Sequence, residues 1–242
     1  MGVLYLVRHG QASFGTDDYD RLSDLGMQQA RITGAHLASQ GITPTRIIHG
    51  GLLRQRQTAE GILAGLGAAP ATHTSTPSDA TTNAADDRTT AAHSPAMQLY
   101  AGWDEYDAWG ITGALSDTDP RASHDSRVFQ DELERGCARW ASGGHDADYA
   151  ETHSAFTARV DRAFTDARAA TGSGETTIVV SSAGSIGWTV ARLMGGDFDQ
   201  WMAFTRVTIN TGITKIVTGR SGISLVSFNE HTHLAPDIVT YR

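Results

Sequence analysis

Apolar residues come in short bursts along the chain, and the spacing within each burst sets the element it predicts. Val3 to Val7 is a continuous apolar run, the pattern of a strand buried on both faces. Ser23 predicts a helix N-cap with Asp24 in the first turn, and Met27, Ala30, Gly34 and Leu37 then recur at helical spacing until Gly41 ends the helix. Arg46 to His49 reads as a second short strand and Leu53 to Leu66 as the next helix. Further on, Phe129, Leu133, Cys137 and Trp140 mark one amphipathic helix, and Phe156, Val160, Ala163, Phe164 and Ala167 mark another. Thr177 to Ser181 is strand-like. A Ser/Ala/Gly turn follows, then a helix carrying Ile186, Val190 and Leu193. Val207 to Asn210, Gly212 to Val217 and Ile223 to Phe228 read as short strands, the last two joined by the turn Arg220-Ser221-Gly222.

Alternating strands and helices predict an α/β fold, a three-layer α/β/α sandwich around a mostly parallel sheet. The pattern lapses between residues 68 and 95. Those 28 residues include eight Ala, seven Thr, three Ser and three Pro, and no Val, Ile, Leu, Met or aromatic residue. Such a segment cannot bury enough apolar surface to offset the entropy of ordering it. It is expected to be a surface insertion in a single domain spanning residues 1–242, with a helical, substrate-side segment at about 100–150.

Composition and charge narrow the function classes. The chain holds 40% hydrophobic and 19% charged residues, a globular balance, and lacks the run of about 20 apolar residues that a membrane span needs. Lys and Arg number 19 against 27 Asp and Glu, a net charge of −8. That argues against nucleic acid as a partner, since a binder would show a basic stripe. Cys137 is the only cysteine, which excludes an intramolecular disulfide and a Cys-rich zinc site. The N-terminus MGVLYLVRHG has no basic region before its apolar run, so a core strand is expected there and a cytoplasmic location by default. The sequence does not set an oligomeric state.

Ligands of open parallel sheets bind beyond the carboxyl ends of the strands. Three predicted strand ends carry Arg8-His9-Gly10, Gly50-Gly51 leading to Arg54, and Ser181-Ser182-Ala183-Gly184. Two arginines, a histidine and small residues converging on one crevice suit a phosphoryl group. A guanidinium grips phosphate oxygens bidentately, and a helix start adds positive potential. A neutral imidazole can attack phosphorus and hold it covalently.

Taken together and in order, these residues resemble the histidine phosphatase superfamily, or phosphoglycerate mutase-like fold. Leu6-Val7-Arg8-His9-Gly10-Gln11 resembles its "RHG" signature. Leu22-Ser23-Asp24-Leu25-Gly26 with Gln29-Ala30 resembles its "L[ST]xxGxxQA" helix start, and Arg54-Gln55-Arg56-Gln57-Thr58-Ala59 its "RxxQTA" motif. Asp104-Glu105-Tyr106-Asp107 resembles the segment presenting an acidic proton donor, Ser181 to Ile186 the late "[TS]HGGxI" segment, and Phe228-Asn229 with His233-Leu234 a common ending. The resemblance implies that His9 is the nucleophile and that Arg8 and Arg54 clamp the phosphoryl oxygens. It implies that Glu105 is the general acid, with Asp104 and Asp107 as rivals, and that Trp103, Tyr106 and Trp109 bury it. Ser182 and Ala183 fall at the phosphate, and Gln11 and Ser13 are near enough in sequence to hydrogen-bond phosphate or substrate. No metal or other cofactor is implied, and the expected partner is a small phosphorylated metabolite.

Three positions depart from the pattern. The second histidine of the family falls at Ser182, an Asn near the phosphate at Gly15, and a Ser-Pro pair at Gly50-Gly51. Ser182-Ala183-Gly184 resembles the "SGG" of a bacterial branch of the superfamily, which implies that the serine is a trait of that branch. Losing one transition-state donor costs about 3–4 kcal/mol, so activity weakened by Ser182 is expected, unless another histidine such as His49 or His233 compensates. The leading expectation is a metal-independent phosphomonoesterase. The alternatives are phosphoglycerate mutase-type transfer and a non-catalytic phospho-ligand binder that lost turnover with the second histidine.

Overall fold

A computed structural model describes residues 1–13, 20–68 and 95–241. Its strands are β1 (Gly2–Arg8), β2 (Arg46–His49), β3 (Ala96–Leu99), β4 (Thr176–Ser181), β5 (Ile213–Gly219) and β6 (Gly222–Glu230). They form one sheet in the order β3-β2-β4-β1-β5-β6. β1 runs parallel to β4, and β2 parallel to both β3 and β4, whereas β5 is antiparallel to β1 and to β6. The sheet is therefore mostly parallel, as the pattern predicts. The helices are α1 (Asp24–Ser39), α2 (Leu53–Ala68), α3 (Ala108–Gly113), α4 (Ser126–Ala141), α5 (His153–Ala169), α6 (Ala183–Leu193) and α7 (Phe198–Val207).

The pleat of β1 divides the core in two. Tyr5 and Val7 join Leu37, Ile47, Ala59, Ile62, Ile178 and Val180 on one face, under α1 and α2. Leu4 and Leu6 join Val179 and Ile216 on the other, with Trp103, Trp140, Phe156, Ile186 and Trp201 from the segments that cover it. Both faces of β1 and β4 are covered, which is why those strands read as continuous apolar runs and not as alternating ones.

The structure corrects the sequence reading in places. Val207 to Asn210 is not a strand. α7 runs through Val207, started by a capping box in which Asp197 and Gln200 satisfy each other's backbone N–H groups. Beyond it, the Asn210 N–H donates to the Thr240 carbonyl at 2.9 Å, outside the sheet. β3 was not foreseen: its four residues are largely exposed at the sheet edge and carry no buried face to signal them. Ala68, the expected start of the insertion, is the last residue of α2, and Pro95 directly precedes β3. Residues 69–94, and Gly15, lie outside the described residues. The segment from 100 to 150 holds α3, α4 and short 3-10 turns.

Candidate active site

β1 delivers Arg8 and His9 to the carboxyl end of the sheet. The His9 N–H donates to the Ser181 carbonyl at 2.8 Å, continuing the β1–β4 pairing past Arg8. His9 is buried. Its Nδ1 lies 2.7 Å from the Gly10 carbonyl, which can only accept, so Nδ1 carries the proton and Nε2 the lone pair. Arg54 Nε donates to that Nε2 at 3.2 Å. Burial, followed by the charges of Arg54 and Arg8, holds the imidazole well below its ordinary pKa. The ring is thus neutral, in the tautomer that a nucleophile attacking through Nε2 requires.

Buried amides brace this loop. The Gly10 N–H donates to Thr58 Oγ1 at 3.0 Å. The Gln11 N–H donates to Gln29 Oε1 at 2.9 Å, and Asn210 Nδ2 donates to the His9 carbonyl at 3.0 Å. Gln29 and Asn210 are fully buried. Gln29 Nε2 also donates to the Ile238 carbonyl at 2.8 Å and to Thr240 Oγ1 at 2.9 Å. Arg8 Nη1 donates to the Tyr241 carbonyl at 2.7 Å and to the carbonyl of Thr208. The late segment of the chain therefore fixes both the loop and the first arginine. Arg54 is fixed by Asp20, whose carboxylate takes Arg54 Nη1 at 2.6 Å and the first N–H of α2, from Leu53, at 2.7 Å.

Glu105 comes from the segment that follows the 3-10 turn Ala101–Trp103. Its Oε2 accepts the Gly184 N–H at 2.8 Å, and its Oε1 accepts the Tyr106 N–H at 3.2 Å. Glu105 thereby caps α6, a task that Ser182, at the N-cap position, leaves undone. A Cβ on residue 184 would run into Glu105 Oε1 and the Tyr106 ring, so only glycine admits this approach. Burial raises the Glu105 pKa against the opposing pull of the Gly184 N–H and of Arg54. The preceding residues are pinned too. Ser181 Oγ donates to the Trp103 carbonyl at 2.6 Å, and Ser185 Oγ and Arg159 Nη1 donate to the Asp104 carbonyl at 2.8 and 3.0 Å.

The expected site residues separate into groups. His9, Arg54 and Arg8 come together, and both arginines act electrostatically on Glu105 as well as on His9. Ser182 lies next to His9 across the strand ends, and Ala183 opens α6. Gln11 Oε1 accepts the Ser23 hydroxyl at 2.9 Å, and the Ser13 N–H donates to the Arg21 carbonyl at 2.8 Å. Asp104 binds the Gly51 N–H, and Asp107 caps α3 through the Gly110 N–H. Trp103 and Tyr106 are buried, but Trp109 is half exposed and packs on Phe129 with ring centroids 4.8 Å apart, away from the role expected for it. His49 is buried, and its Nδ1 lies 2.7 Å from the Gly50 carbonyl. His233 lies 3.1 Å from Thr33 Oγ1 and stacks on His36, outside this constellation. Sequence reasoning missed Asp20, Gln29, Gln55 and Asn210. Gln29 stood in a quoted motif, but nothing nearby in sequence marks Asn210, whose partners lie at the other end of the chain.

A cavity of about 570 Å³ opens beside Glu105, walled by Asp104, Asp107, Trp140, Tyr149 and the ion pair of Glu151 with Arg159. A carboxyl group at the rim of a cavity, held toward its neutral form by burial, is placed to exchange a proton with whatever occupies it.

A family model described as the histidine phosphatase superfamily (branch 1) matches residues 4–110 and 91–231. The chain belongs to this superfamily. A 62-residue stretch is 42% identical to the mitochondrial serine/threonine-protein phosphatase Pgam5 of Drosophila grimshawi, covering 25% of this chain and only 22% of that relative. Solved structures match over nearly all of the chain. Phosphoserine phosphatase from Entamoeba histolytica, in complex with 3-phosphoglyceric acid, is 18% identical with a TM-score of 0.61 and covers 97% of this chain and 100% of its own. Bacillus stearothermophilus YhfR is 16% identical with a TM-score of 0.62, covering 96% and 98%. At such identities the likeness is one of fold. Among the described residues of this superfamily member, no helix is long and apolar enough to cross a membrane.

Proposed function

We propose that the protein hydrolyses a small phosphate monoester through a phosphohistidine on His9. The observation that carries this reading is the state of that ring: neutral, protonated on Nδ1, with the Nε2 lone pair beside Arg54. In the first step the lone pair attacks phosphorus and the bond to the leaving oxygen breaks. That oxygen keeps the electron pair and takes the proton of Glu105. In the second step water attacks the phosphorus and gives a proton to the Glu105 carboxylate. The N–P bond breaks, and its electron pair returns to Nε2. Arg8, Arg54 and the first turn of α6 meet the charge on the phosphoryl oxygens, so no step needs a metal.

The leaving group would occupy the cavity beside Glu105. A mutase acting on phosphoglycerate would have to place a second anion there, among Asp104, Asp107 and Asp148, where the cation of the lining, Arg159, is already paired with Glu151. Like charges at close quarters oppose that, which favours hydrolysis of an ester whose alcohol is neutral or cationic.

Acid-quench trapping with radiolabelled monoesters tests the reading. Wild type should form an acid-labile phosphoprotein and release phosphate in the presence of EDTA, and His9→Ala should do neither. A wild type that neither labels nor releases phosphate across a panel of esters would remove the phosphatase reading. Tight ester binding without labelling would point to a phospho-ligand binder, and conversion of 3-phosphoglycerate into its 2-isomer to a mutase.

A further inference from the structure

Position 182, where the superfamily resemblance implies a histidine, is an enclosed polar position beside His9. Ser182 is 1% exposed. It follows Ser181 on β4 as His9 follows Arg8 on β1, and those two strands pair in parallel with Arg8 opposite Ser181. Strand spacing then puts Ser182 about 5 Å from His9. Its hydroxyl does not cap α6, because the Gly184 N–H is held by Glu105. Instead, Ser182 Oγ lies 2.9 Å from Nε2 of Gln55, a fully buried side chain from the first turn of α2.

The direction of that hydrogen bond is settled by a third group. Gln55 Nε2 also lies 3.2 Å from the Trp103 carbonyl, which can only accept, and Gln55 Oε1 faces the Leu52 N–H at 3.4 Å. The amide nitrogen must therefore point at both oxygens, and Ser182 Oγ is an acceptor toward Gln55. Its own O–H is left to donate elsewhere. Room for this amide exists because residue 50 is glycine: a Cβ there would run into Gln55 Oε1. Two of the three departures from the superfamily pattern, at 50 and at 182, thus belong to one arrangement organised by Gln55.

We propose that Gln55 is a positioning residue for the phosphoryl-transfer site. By occupying one lone pair of Ser182, it turns the Ser182 hydroxyl into a fixed, uncharged donor to a phosphoryl oxygen on His9, in the place where the resemblance implies an imidazole. Gly50 is the space that lets it reach. This rests on the phosphohistidine reading given above.

A double-mutant cycle tests it, with Ser182→Ala, Gln55→Met, the pair together and wild type, each checked for folding by thermal unfolding. Met keeps the bulk of Gln55 but has no amide. With p-nitrophenyl phosphate as the probe, Ser182→Ala should lower kcat by about 100-fold or more, the usual effect of losing one transition-state donor. Gln55→Met should lower kcat by roughly 10-fold with KM little changed, and the double variant should match Ser182→Ala. Because neither side chain titrates, the pH profiles of all four proteins should share the same limbs. The proposal is overturned if Gln55→Met costs the same factor with and without Ser182, for then Gln55 acts only by holding the Trp103 carbonyl. It is equally overturned if Ser182→Ala turns over at the wild-type rate. Should the wild type release no phosphate, the phosphatase reading fails. Calorimetric titration of the same four proteins with inorganic phosphate then decides this inference by itself: coupled losses of affinity uphold it, and independent or absent losses overturn it.

Discussion

Replacing Glu105 by Gln keeps the shape of the side chain and takes away its proton. The amide oxygen can still accept the Gly184 N–H that Glu105 holds at 2.8 Å. What is lost structurally is a carboxylate at the N-terminus of α6, worth about 0.3–1 kcal/mol, and the weaker contact to the Tyr106 N–H, which an amide nitrogen cannot accept, worth about 1 kcal/mol. The melting temperature should fall by less than about 8 °C, taking ~2–4 °C per kcal/mol for a chain of this size. The catalytic loss should be far larger. A positioned general acid contributes about 10²–10⁴-fold, or roughly 3–5 kcal/mol of barrier. In kcat/KM, which reports formation of the phosphohistidine and not its hydrolysis, that loss should depend on the leaving group: alkyl phosphates should suffer all of it, and p-nitrophenyl phosphate, whose phenolate leaves unprotonated, little. The pH profile gives a second readout. Glu105 must be protonated to act, and burial raises its pKa, so wild-type kcat/KM should fall on the basic side as this acid ionises. His9 must be unprotonated, and its lowered pKa moves the acidic limb below the usual imidazole range, which gives an acidic optimum. Glu105→Gln should erase the basic limb and leave the acidic one. An equal loss of kcat/KM on both substrates, or a basic limb that persists in the variant, would refute the assignment of Glu105.

Arg54→Ala should weaken inorganic phosphate binding by about 2–5 kcal/mol, measured by calorimetry, while changing the net charge by one unit; Arg54→Lys should not restore it, since a lysine cannot reproduce the fork between His9 and Asp20. Gln29→Leu leaves the Gln11 N–H, the Ile238 carbonyl and the Thr240 hydroxyl without their buried partner. At ~1 kcal/mol or more each, the total is about 3 kcal/mol, and differential scanning calorimetry should show a drop of roughly 6–12 °C. Burial and the neighbouring His36 and His231 hold His233 at about 4, below its unfolded value. Its contribution to stability is present above pH ~6.5 and is lost as pH falls through 4, up to ~3 kcal/mol. Urea titrations at pH 7 and pH 4.5 should therefore show a smaller difference for His233→Gln than for wild type.

Legibility followed the range of the interactions. Ser23 as N-cap, the strand at Arg46–His49 and the stripes of α4 and α5 were readable because each depends on neighbours a few residues away. That His9 and Arg54 meet was readable because both follow strand ends, and Glu105 was singled out, with Asp104 and Asp107 as rivals, only through the resemblance of its segment to a family motif. The misreading at Val207–Asn210 has a physical cause. Val207 and Ile209 alternate with Thr208 and Asn210, which imitates a strand. The polar members of that alternation instead serve Arg8, His9 and Thr240. Trp109 was misjudged for a similar reason: proximity in sequence to Glu105 does not decide which side of a short helix a ring takes. Gln55 and Asp20 gave no signal at all, since their meaning lies in partners from other elements.

The strand that carries His9 sits in the interior of the sheet, between β4 and β5. Its neighbours do not exist until Thr176 and Ile213 have been made. At ~5–20 residues per second, ribosomal synthesis leaves the apolar run Val3–Val7 without its sheet partners for on the order of ten seconds or more. β1 is thus made long before the strands that flank it, and this long-range closure makes assembly of the sheet end that holds His9 a late, slow event. Its earliest vulnerability is aggregation of the nascent chain, well before any substrate is met.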